Sequence, residues 1–287
     1  MKRLVVYTDI GADPDDTAAL AMLMHLHRRG VVRLLSVVCA TARRDADRCL
    51  AAIAAYYGYD RPLGRMDGPA IPCDAVDGYA GKVAARFPAA AQWEEYDTLT
   101  ARLLREHPGT DIVSLGPLTA FAALFDRDFG GYGGAALLKE YAGTLYVMAG
   151  RFDSPEPEWN VAQDVAAARR FVREAANDIV FLPFETGVGL FTGRPFKTDK
   201  DNPCRACFTE FFGGEPDPFV RSSWDPLTAY VAAFGTDGFD VSPPGTVTVS
   251  ETGVTAFAPS ADGKHRYVVR CKDGGLAEAR VDALLLP

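Results

Sequence analysis

Short, continuously apolar segments alternate with amphipathic ones along most of the chain. Apolar runs of strand length lie at 2–8 (KRLVVYT), 32–38 (VRLLSVV), 111–115 (DIVSL), 143–149 (GTLYVMA) and 178–183 (DIVFLP). Runs without polar alternation are typical of strands that are covered on both faces. They therefore predict a sheet buried in the middle of the molecule.

Helical patterns occupy several of the intervals between these runs. Segment 14–30 has acidic residues at its start, arginines near its end and a glycine as its last residue, which is the expected order of helix start and stop signals. Further helices are predicted at 43–58, 117–125 and 165–176. Strands that alternate with helices predict an α/β fold, with an open, mostly parallel sheet and helices on both faces.

The pattern changes after VSPPG, near residue 240. Three short strand-like runs at 246–250, 254–258 and 265–272 are separated by turn residues, and 276–286 has a helical pattern. We predict that these runs form a small antiparallel appendage, closed by a helix. No repeat or linker divides the chain, so we predict one domain over 1–287.

Composition limits the classes of partner. The formal net charge of −8 disfavours nucleic acid, whose recognition relies on Lys and Arg. No run approaches the roughly 18 apolar residues of a membrane helix, and the first apolar run is too short for a signal peptide. Six cysteines are too few for a disulfide scaffold and fit a reducing compartment. We therefore expect a cytoplasmic protein that binds neither nucleic acid nor membranes.

The segment YTDIGADPDD holds four carboxylates, Asp9, Asp13, Asp15 and Asp16, directly behind the first predicted strand. One interpretation is a helix start, with Asp13 as N-cap, Pro14 as first helical residue and the next two acids at the positive end of the helix dipole. That interpretation leaves Asp9 unexplained, since a carboxylate at the end of a buried strand is costly without a partner. The other interpretation is a site for a hard cation with oxygen ligands, although the spacing is not that of an EF-hand.

Four segments resemble the inosine–uridine-preferring nucleoside hydrolases, or N-ribohydrolases. TDIGADPDD followed by TAALAMLM is similar to the family's acidic loop and the helix behind it. Its Gly-Pro-Leu-Thr strand end, its Glu-Phe-Asn segment and its His-Asp-Pro-Leu segment are matched, in the same order, by DIVSLGPLTAFAAL (111–124), VMAGRFDSPEPEWNVAQDVAAA (147–168) and SSWDPLTAYVA (222–232).

The resemblance implies the nucleoside hydrolase fold and Ca²⁺-dependent cleavage of the N-glycosidic bond of a ribonucleoside or related ribosyl compound. Products would be ribose and free base, after attack of a metal-bound water through an oxocarbenium-like transition state. Carried onto this chain, the Ca²⁺ ligands would be Asp9, Asp16, the backbone carbonyl of Leu115, and Asp225. Asp9 would also accept the proton of the attacking water. The family is commonly dimeric or tetrameric, so a homo-oligomer is expected.

The same resemblance places the sugar and the base. Asp15 would bond a ribose hydroxyl, and Glu158 and Asn160 would hold the other sugar hydroxyls. Thr41 stands where the family often has a ribose-binding Asn. Trp224 stands where many members have the His associated with protonating the leaving base. A tryptophan can stack on a base but cannot donate a proton as an acid does.

Two questions stay open at this stage. Alignment on the strand makes Asp9 the metal ligand of the loop, whereas alignment on Asp-Pro makes Asp13 the ligand. The missing His also leaves room for an alternative function, a ribose- or nucleoside-binding protein of the same fold with weak or no turnover. A metal-dependent phosphohydrolase is disfavoured, because no Asp-x-Asp follows the strand directly.

Overall fold

The computed structural model describes residues 1–68, 71–75 and 78–287. The strands are β1 (Lys2–Thr8), β2 (Val32–Cys39), β3 (Leu63–Arg65), β4 (Trp93–Glu95), β5 (Thr110–Ser114), β6 (Ala142–Met148), β7 (Ile179–Leu182), β8 (Phe191–Thr192), β9 (Arg221–Ser222), β10 (Phe239–Val241), β11 (Gly245–Val249), β12 (Thr255–Pro259) and β13 (His265–Cys271). The α-helices are α1 (Asp15–Arg28), α2 (Ala46–Tyr56), α3 (Ala80–Arg86), α4 (Tyr96–Glu106), α5 (Thr119–Phe125), α6 (Gly134–Tyr141), α7 (Trp159–Gln163), α8 (Val165–Glu174), α9 (Phe184–Gly187), α10 (Pro203–Phe211), α11 (Trp224–Phe234) and α12 (Gly274–Asp282). Two 3₁₀ helices lie at Pro72–Ala75 and Arg194–Thr198.

Eleven strands of the described residues form one sheet in the order β12-β11-β13-β7-β6-β5-β1-β2-β3-β4, with β10 paired to β13. All neighbours from β4 to β7 are parallel. Strands β10, β11 and β12 make antiparallel pairs. The predicted fold class, a mostly parallel sheet with an antiparallel C-terminal part, is confirmed. The separate two-stranded pair β8–β9 is antiparallel.

One C-terminal strand differs from the prediction. We expected the run at 265–272 to pair only in antiparallel fashion, but β13 also lies parallel to β7, with His265 opposite Ile179. Without β13, that side of β7 would present unpaired backbone N–H and C=O groups at a sheet edge. The C-terminal strands therefore extend the main sheet.

The core has two layers, one on each face of the sheet. Because side chains alternate along a strand, Leu4 and Val6 of β1 pack with α1, α2 and α11, while Val5 and Tyr7 pack with α4, α5 and α8. These four side chains are at most 1% exposed. Among the described residues, none of the helices is long and apolar enough to cross a membrane.

The parallel register brings several strand ends to one edge of the sheet. Tyr7 of β1 lies opposite Ser114 of β5, and Ser114 lies opposite Val147 of β6. The residues that follow these strands therefore emerge side by side at the carboxyl edge, where open α/β sheets bind their ligands. Helix α11 packs against α1 and brings its first residues to the same edge.

Candidate active site

A cavity of about 620 Å³ opens at the carboxyl edge of the sheet. Its acidic lining residues are Asp9, Asp13, Asp15, Asp16, Glu158, Glu210 and Asp225. Its aromatic lining residues are Tyr79, Trp159, Phe184, Phe211 and Trp224. An apolar wall beside a concentrated set of carboxylates is the arrangement expected of a small-molecule site.

The start of α1 is tied to two other elements. Asp16 accepts a hydrogen bond from the Thr8 hydroxyl at the end of β1. Asp15 accepts one from the backbone N–H of Asp225, at 3.1 Å, near the start of α11. These bonds fix two carboxylates of the loop against residues that are far apart in the sequence.

Asp15, Asp16 and Asp225 form a tight cluster, in which one oxygen of each lies within 4.8 Å of the others. The three residues are 5%, 3% and 4% exposed. Burial, together with repulsion among the carboxylates, holds the pKa of each well above its usual range. In the part of the chain that the structure describes, none of the three forms an ion pair with Lys or Arg. Buried, hard oxygen donors without a cationic partner fit a divalent cation such as Ca²⁺.

Asp9 follows β1 and lines the same cavity, but the tight cluster contains Asp15 in its place. Its side chain lies against the backbone of Gly116, where a built Cβ atom would be 2.3 Å from Asp9 Oδ1. Burial raises the pKa of Asp9 to about 7, and the nearby Arg43 opposes the shift. The predicted division of roles between Asp9 as ligand and Asp15 as sugar contact stays a prediction.

Asp13 is not the N-cap that we predicted. Helix α1 begins at Asp15, and Pro14 occupies the cap position without a capping side chain. Asp13, one residue earlier, accepts only a long hydrogen bond from the Asp15 backbone N–H, at 3.5 Å. The Asp13 carboxylate instead accepts two hydrogen bonds from Arg221, at 3.0 Å from Nε and 2.5 Å from Nη2. Asp13 therefore has a cationic partner within the chain, although it also lines the cavity. The choice between Asp9 and Asp13 as the metal ligand of the loop stays a prediction.

Leu115, Glu158 and Asn160 also line the cavity and are joined to one another by hydrogen bonds. The Leu115 side chain is buried, and its carbonyl accepts a hydrogen bond from Asn160 Nδ2 at 3.0 Å. Glu158 caps α7 and accepts bonds from the backbone N–H groups of Gly150, Asn160 and Val161. Burial raises the pKa of Glu158 to about 7, against the effect of these bonds.

Trp224 lines the cavity, but its indole N–H is already used. Nε1 donates to the Phe184 carbonyl at 2.9 Å, and the two rings stack with centroids 5.5 Å apart. The guanidinium carbon of Arg221 lies 4.9 Å from the Trp224 ring centroid. The Trp224 side chain therefore forms part of the cavity wall and has no N–H left to donate to a ligand.

Thr41 is the one predicted site residue that the structure places outside this cavity. Its hydroxyl donates to Asp74 and accepts from the backbone N–H of Arg43 at 3.1 Å. It lines a neighbouring cavity, and among the described residues that line the two cavities Arg43 is the one they share. A ribose contact through Thr41 therefore stays a prediction.

The lining residues that the sequence analysis missed include Arg221 and Phe211. Arg221 stands directly before the SSWDP segment, so its position beside that motif was an available signal. Phe211 ends α10, and its ring centroid lies 5.3 Å from the Arg221 guanidinium carbon. Nothing in the local sequence distinguishes it from other helix phenylalanines.

Comparison with known proteins gives the same fold. A plant nucleoside hydrolase, PpNRh1, aligns with a TM-score of 0.77 at 17% identity, over 99% of this chain and 98% of its own. The purine-preferring ribonucleoside hydrolase from Gardnerella vaginalis aligns with a TM-score of 0.76 at 17% identity, over 99% of each chain. The type III effector protein XopQ, solved with adenosine diphosphate ribose, aligns at 0.69 and 19% identity, over 99% of this chain and 93% of its own.

Identities this low show a shared fold, so the family assignment depends on the sequence itself. No curated protein matches the chain in sequence. The sequence profile of the family described as inosine-uridine preferring nucleoside hydrolase matches residues 4–258, a range that includes all four segments quoted above. The chain therefore belongs to the inosine-uridine preferring nucleoside hydrolase family, a family of N-glycosyl hydrolases.

Proposed function

We propose that the protein is a Ca²⁺-dependent hydrolase that cleaves the N-glycosidic bond of a ribonucleoside or related ribosyl compound, giving ribose and free base. The observation that carries the proposal is the buried cluster of Asp15, Asp16 and Asp225 within an aromatic-walled cavity. A cavity of about 620 Å³ is in the usual size range for a small-molecule ligand.

The residues that would hold the ion are Asp9, Asp16, Asp225 and the Leu115 carbonyl, with Asp15 beside them. Calcium takes about 6–8 oxygen ligands, so the substrate hydroxyls and water would complete the shell. Bound here, the ion would orient the vicinal ribose hydroxyls and lower the pKa of a water. Asp9 is the carboxylate that we assign as proton acceptor, because the end of a buried strand holds it in place.

The sugar would lie between the carboxylates and the Glu158–Asn160 wall. As the glycosidic bond breaks, positive charge develops on the ribose ring, and the surrounding carboxylates stabilise it. Asn160 Nδ2 is engaged by the carbonyls of Leu115 and Met148, so its Oδ1 is the atom assigned to a sugar hydroxyl. The aromatic side of the cavity, which includes Trp159 and Phe211, would contact the base.

One observation favours the second candidate, a ribosyl-binding protein with weak or no turnover. Among the described lining residues there is no histidine, and the Trp224 indole N–H is occupied by the Phe184 carbonyl. The usual acid for the leaving base is therefore missing. XopQ, which has this fold, was solved with adenosine diphosphate ribose, so a larger ribosyl compound belongs in any ligand panel.

A nucleoside panel separates the two functions. The protein is incubated with Ca²⁺ and each purine and pyrimidine ribonucleoside, and released ribose is measured as reducing sugar. We expect release that stops with EDTA, returns with added Ca²⁺, and is lost in Asp9→Asn. The half-exposed Asp240→Asn is the matched control and should keep full activity, since Asp240 pairs with Arg270 away from the cavity. Ribosyl binding by calorimetry without release of any base would instead support the binding protein.

Three further properties stay predictions: a cytoplasmic location, which composition suggests, and a role in nucleoside salvage and a dimer or tetramer, which the family resemblance suggests. Light scattering of the purified protein measures the oligomeric state directly.

A further inference from the structure

Arg221 is held from three sides at the wall of the cavity. Asp13 binds two of its nitrogens, and the rings of Trp224 and Phe211 lie 4.9 Å and 5.3 Å from its guanidinium carbon. A guanidinium between aromatic faces gains cation–π stabilisation and loses mobility. The side chain is therefore fixed in the cavity wall before any ligand binds.

The guanidinium still has hydrogen-bond capacity in this arrangement. Arginine carries five N–H donors, and Asp13 engages only Nε and Nη2. Among the described residues, the hydrogen bonds of Arg221 run from Nε and Nη2 to Asp13, and Nη1 makes none. The neighbouring Trp224 offers no donor of its own, because its N–H binds Phe184. Of these two adjacent side chains, Arg221 is the one that can bond a ligand.

The position of Arg221 is at the base end of the proposed site. Asp225, in the carboxylate cluster, immediately follows Trp224, and Arg221 lies over the Trp224 ring. Of the other cationic lining residues, Lys82 pairs with Glu210 at 2.9 Å, and Arg43 lies close enough to Asp9 to oppose its pKa shift. Arg221 is therefore the cation associated with the aromatic wall.

We propose that Arg221 contacts the departing base and stabilises its negative charge, and that Asp13 positions Arg221 for this; the inference rests on the proposed function. The bond from ribose C1′ to the base nitrogen breaks with its electron pair remaining on the base. A bond forms between C1′ and a water oxygen, and the water proton passes to a site carboxylate. The base anion is held by the guanidinium donors until it takes a proton from solvent.

This role differs from that of a general acid. A guanidinium stays protonated at any physiological pH, so it donates hydrogen bonds and charge but does not transfer a proton. Bases that present carbonyl oxygens and ring nitrogens as acceptors should gain most. Bases that present an amino group should gain least. We therefore expect 6-oxopurine ribosides to be cleaved faster than 6-aminopurine ribosides.

The test compares two leaving groups in Arg221→Met and Arg221→Lys. For inosine, Arg221→Met should lower kcat/KM by about 100-fold, the size seen when a donor to developing negative charge is removed. For p-nitrophenyl ribofuranoside the loss should stay below about threefold, because nitrophenolate leaves without such help. Arg221→Lys keeps the charge without the planar fork, so its loss on inosine should be intermediate. Arg270→Met, which removes an exposed Arg–Asp pair, is the control.

Asp13→Asn tests the positioning role. It should reproduce the dependence on leaving group, and the double variant Asp13→Asn/Arg221→Met should be no slower than Arg221→Met alone. Equal losses on both substrates, or no loss on inosine, would overturn the proposal and leave Arg221 a structural residue. A wild-type protein that cleaves no riboside would reject the proposed function itself, and this role with it. If Arg221→Met does not fold, Arg221→Lys and Asp13→Asn decide the outcome.

Discussion

Replacing Gly116 by alanine tests whether the position of Asp9 matters. Gly116 lies two residues after the end of β5, and its φ is not in the left-handed region, so alanine adds no backbone strain. The added Cβ atom would lie 2.3 Å from Asp9 Oδ1, 2.5 Å from its Cγ and 2.7 Å from its Cβ. The methyl group would therefore collide with the whole Asp9 side chain.

The size of the effect follows from these distances. Because the Asp9 Cβ atom is also too close, rotation of the carboxylate alone cannot relieve the overlap. Asp9 must move by about 1 Å for its Oδ1 to reach an ordinary contact of 3.4 Å. A misplacement of about 1 Å can cost about 100-fold in rate, or about 2.7 kcal/mol of transition-state stabilisation. Crowding should lower the free energy of unfolding by about 1–3 kcal/mol.

Gly143→Ala is a matched control at the amino ends of the strands, away from the cavity. Its added Cβ atom would lie 2.4 Å from Asp111 Oδ1, a similar clash with an aspartate near the start of β5. The assay is kcat/KM for the best nucleoside of the panel, together with thermal unfolding of each variant. We expect both variants to lose stability and only Gly116→Ala to lose activity. Activity of Gly116→Ala within about threefold of wild type would refute the assignment of Asp9.

Two further predictions concern the cation and Asn160. Ca²⁺ at 100 times its Kd should raise the free energy of unfolding by about 2.7 kcal/mol, measured by calorimetry. The folded, metal-free protein holds the pKa of Asp9 at about 7, above its unfolded value, so that protein should lose stability as pH rises from about 4 to 7. At one fixed Ca²⁺ concentration, the gain should then be larger at pH 8 than at pH 5, because protons compete with Ca²⁺ for the carboxylates. Equal gains at the two pH values would contradict this reasoning. Asn160→Ala removes the bond to the Leu115 carbonyl and should lower both activity and stability, the latter by about 1–3 kcal/mol. Asn177→Ala removes a comparable buried bond, to the Leu138 carbonyl at 2.9 Å, and should lower stability in the same melting assay without lowering activity.

The central strands were predictable because their burial is nearly uniform. Strands β1, β2, β5, β6 and β7 are continuous apolar runs, and a sheet covered on both faces requires such runs. Strands β3 and β4 were missed, since three residues such as LGR and WEE carry no periodicity. The parallel pairing of β13 with β7 depends on which sheet edge is left free, and local sequence does not contain that information.

The site, too, has features that local sequence predicts and others that depend on contacts between distant residues. The acids of the first loop are neighbours in sequence, so their proximity needed no tertiary information. Asp13 was misassigned because its partner Arg221 is 208 residues away. An N-cap is worth about 1 kcal/mol, whereas hydrogen bonds to charged groups contribute about 1.5–3 kcal/mol each. A paired bond to a half-buried guanidinium therefore outweighs the cap, and no local pattern shows the choice.

The carboxylates of the cavity differ in whether the chain itself supplies a cation to balance their charge. Asp13 has a permanent cation in Arg221. Asp15, Asp16 and Asp225 form no ion pair among the described residues and remain close only because other elements fix them or because a cation joins them. Under the proposed function, the carboxylate cluster would need an added cation, while the aromatic wall has its own cation in Arg221. Removal of Ca²⁺ should consequently slow every riboside alike, and the loss in Asp13→Asn should depend on the leaving group even at saturating Ca²⁺.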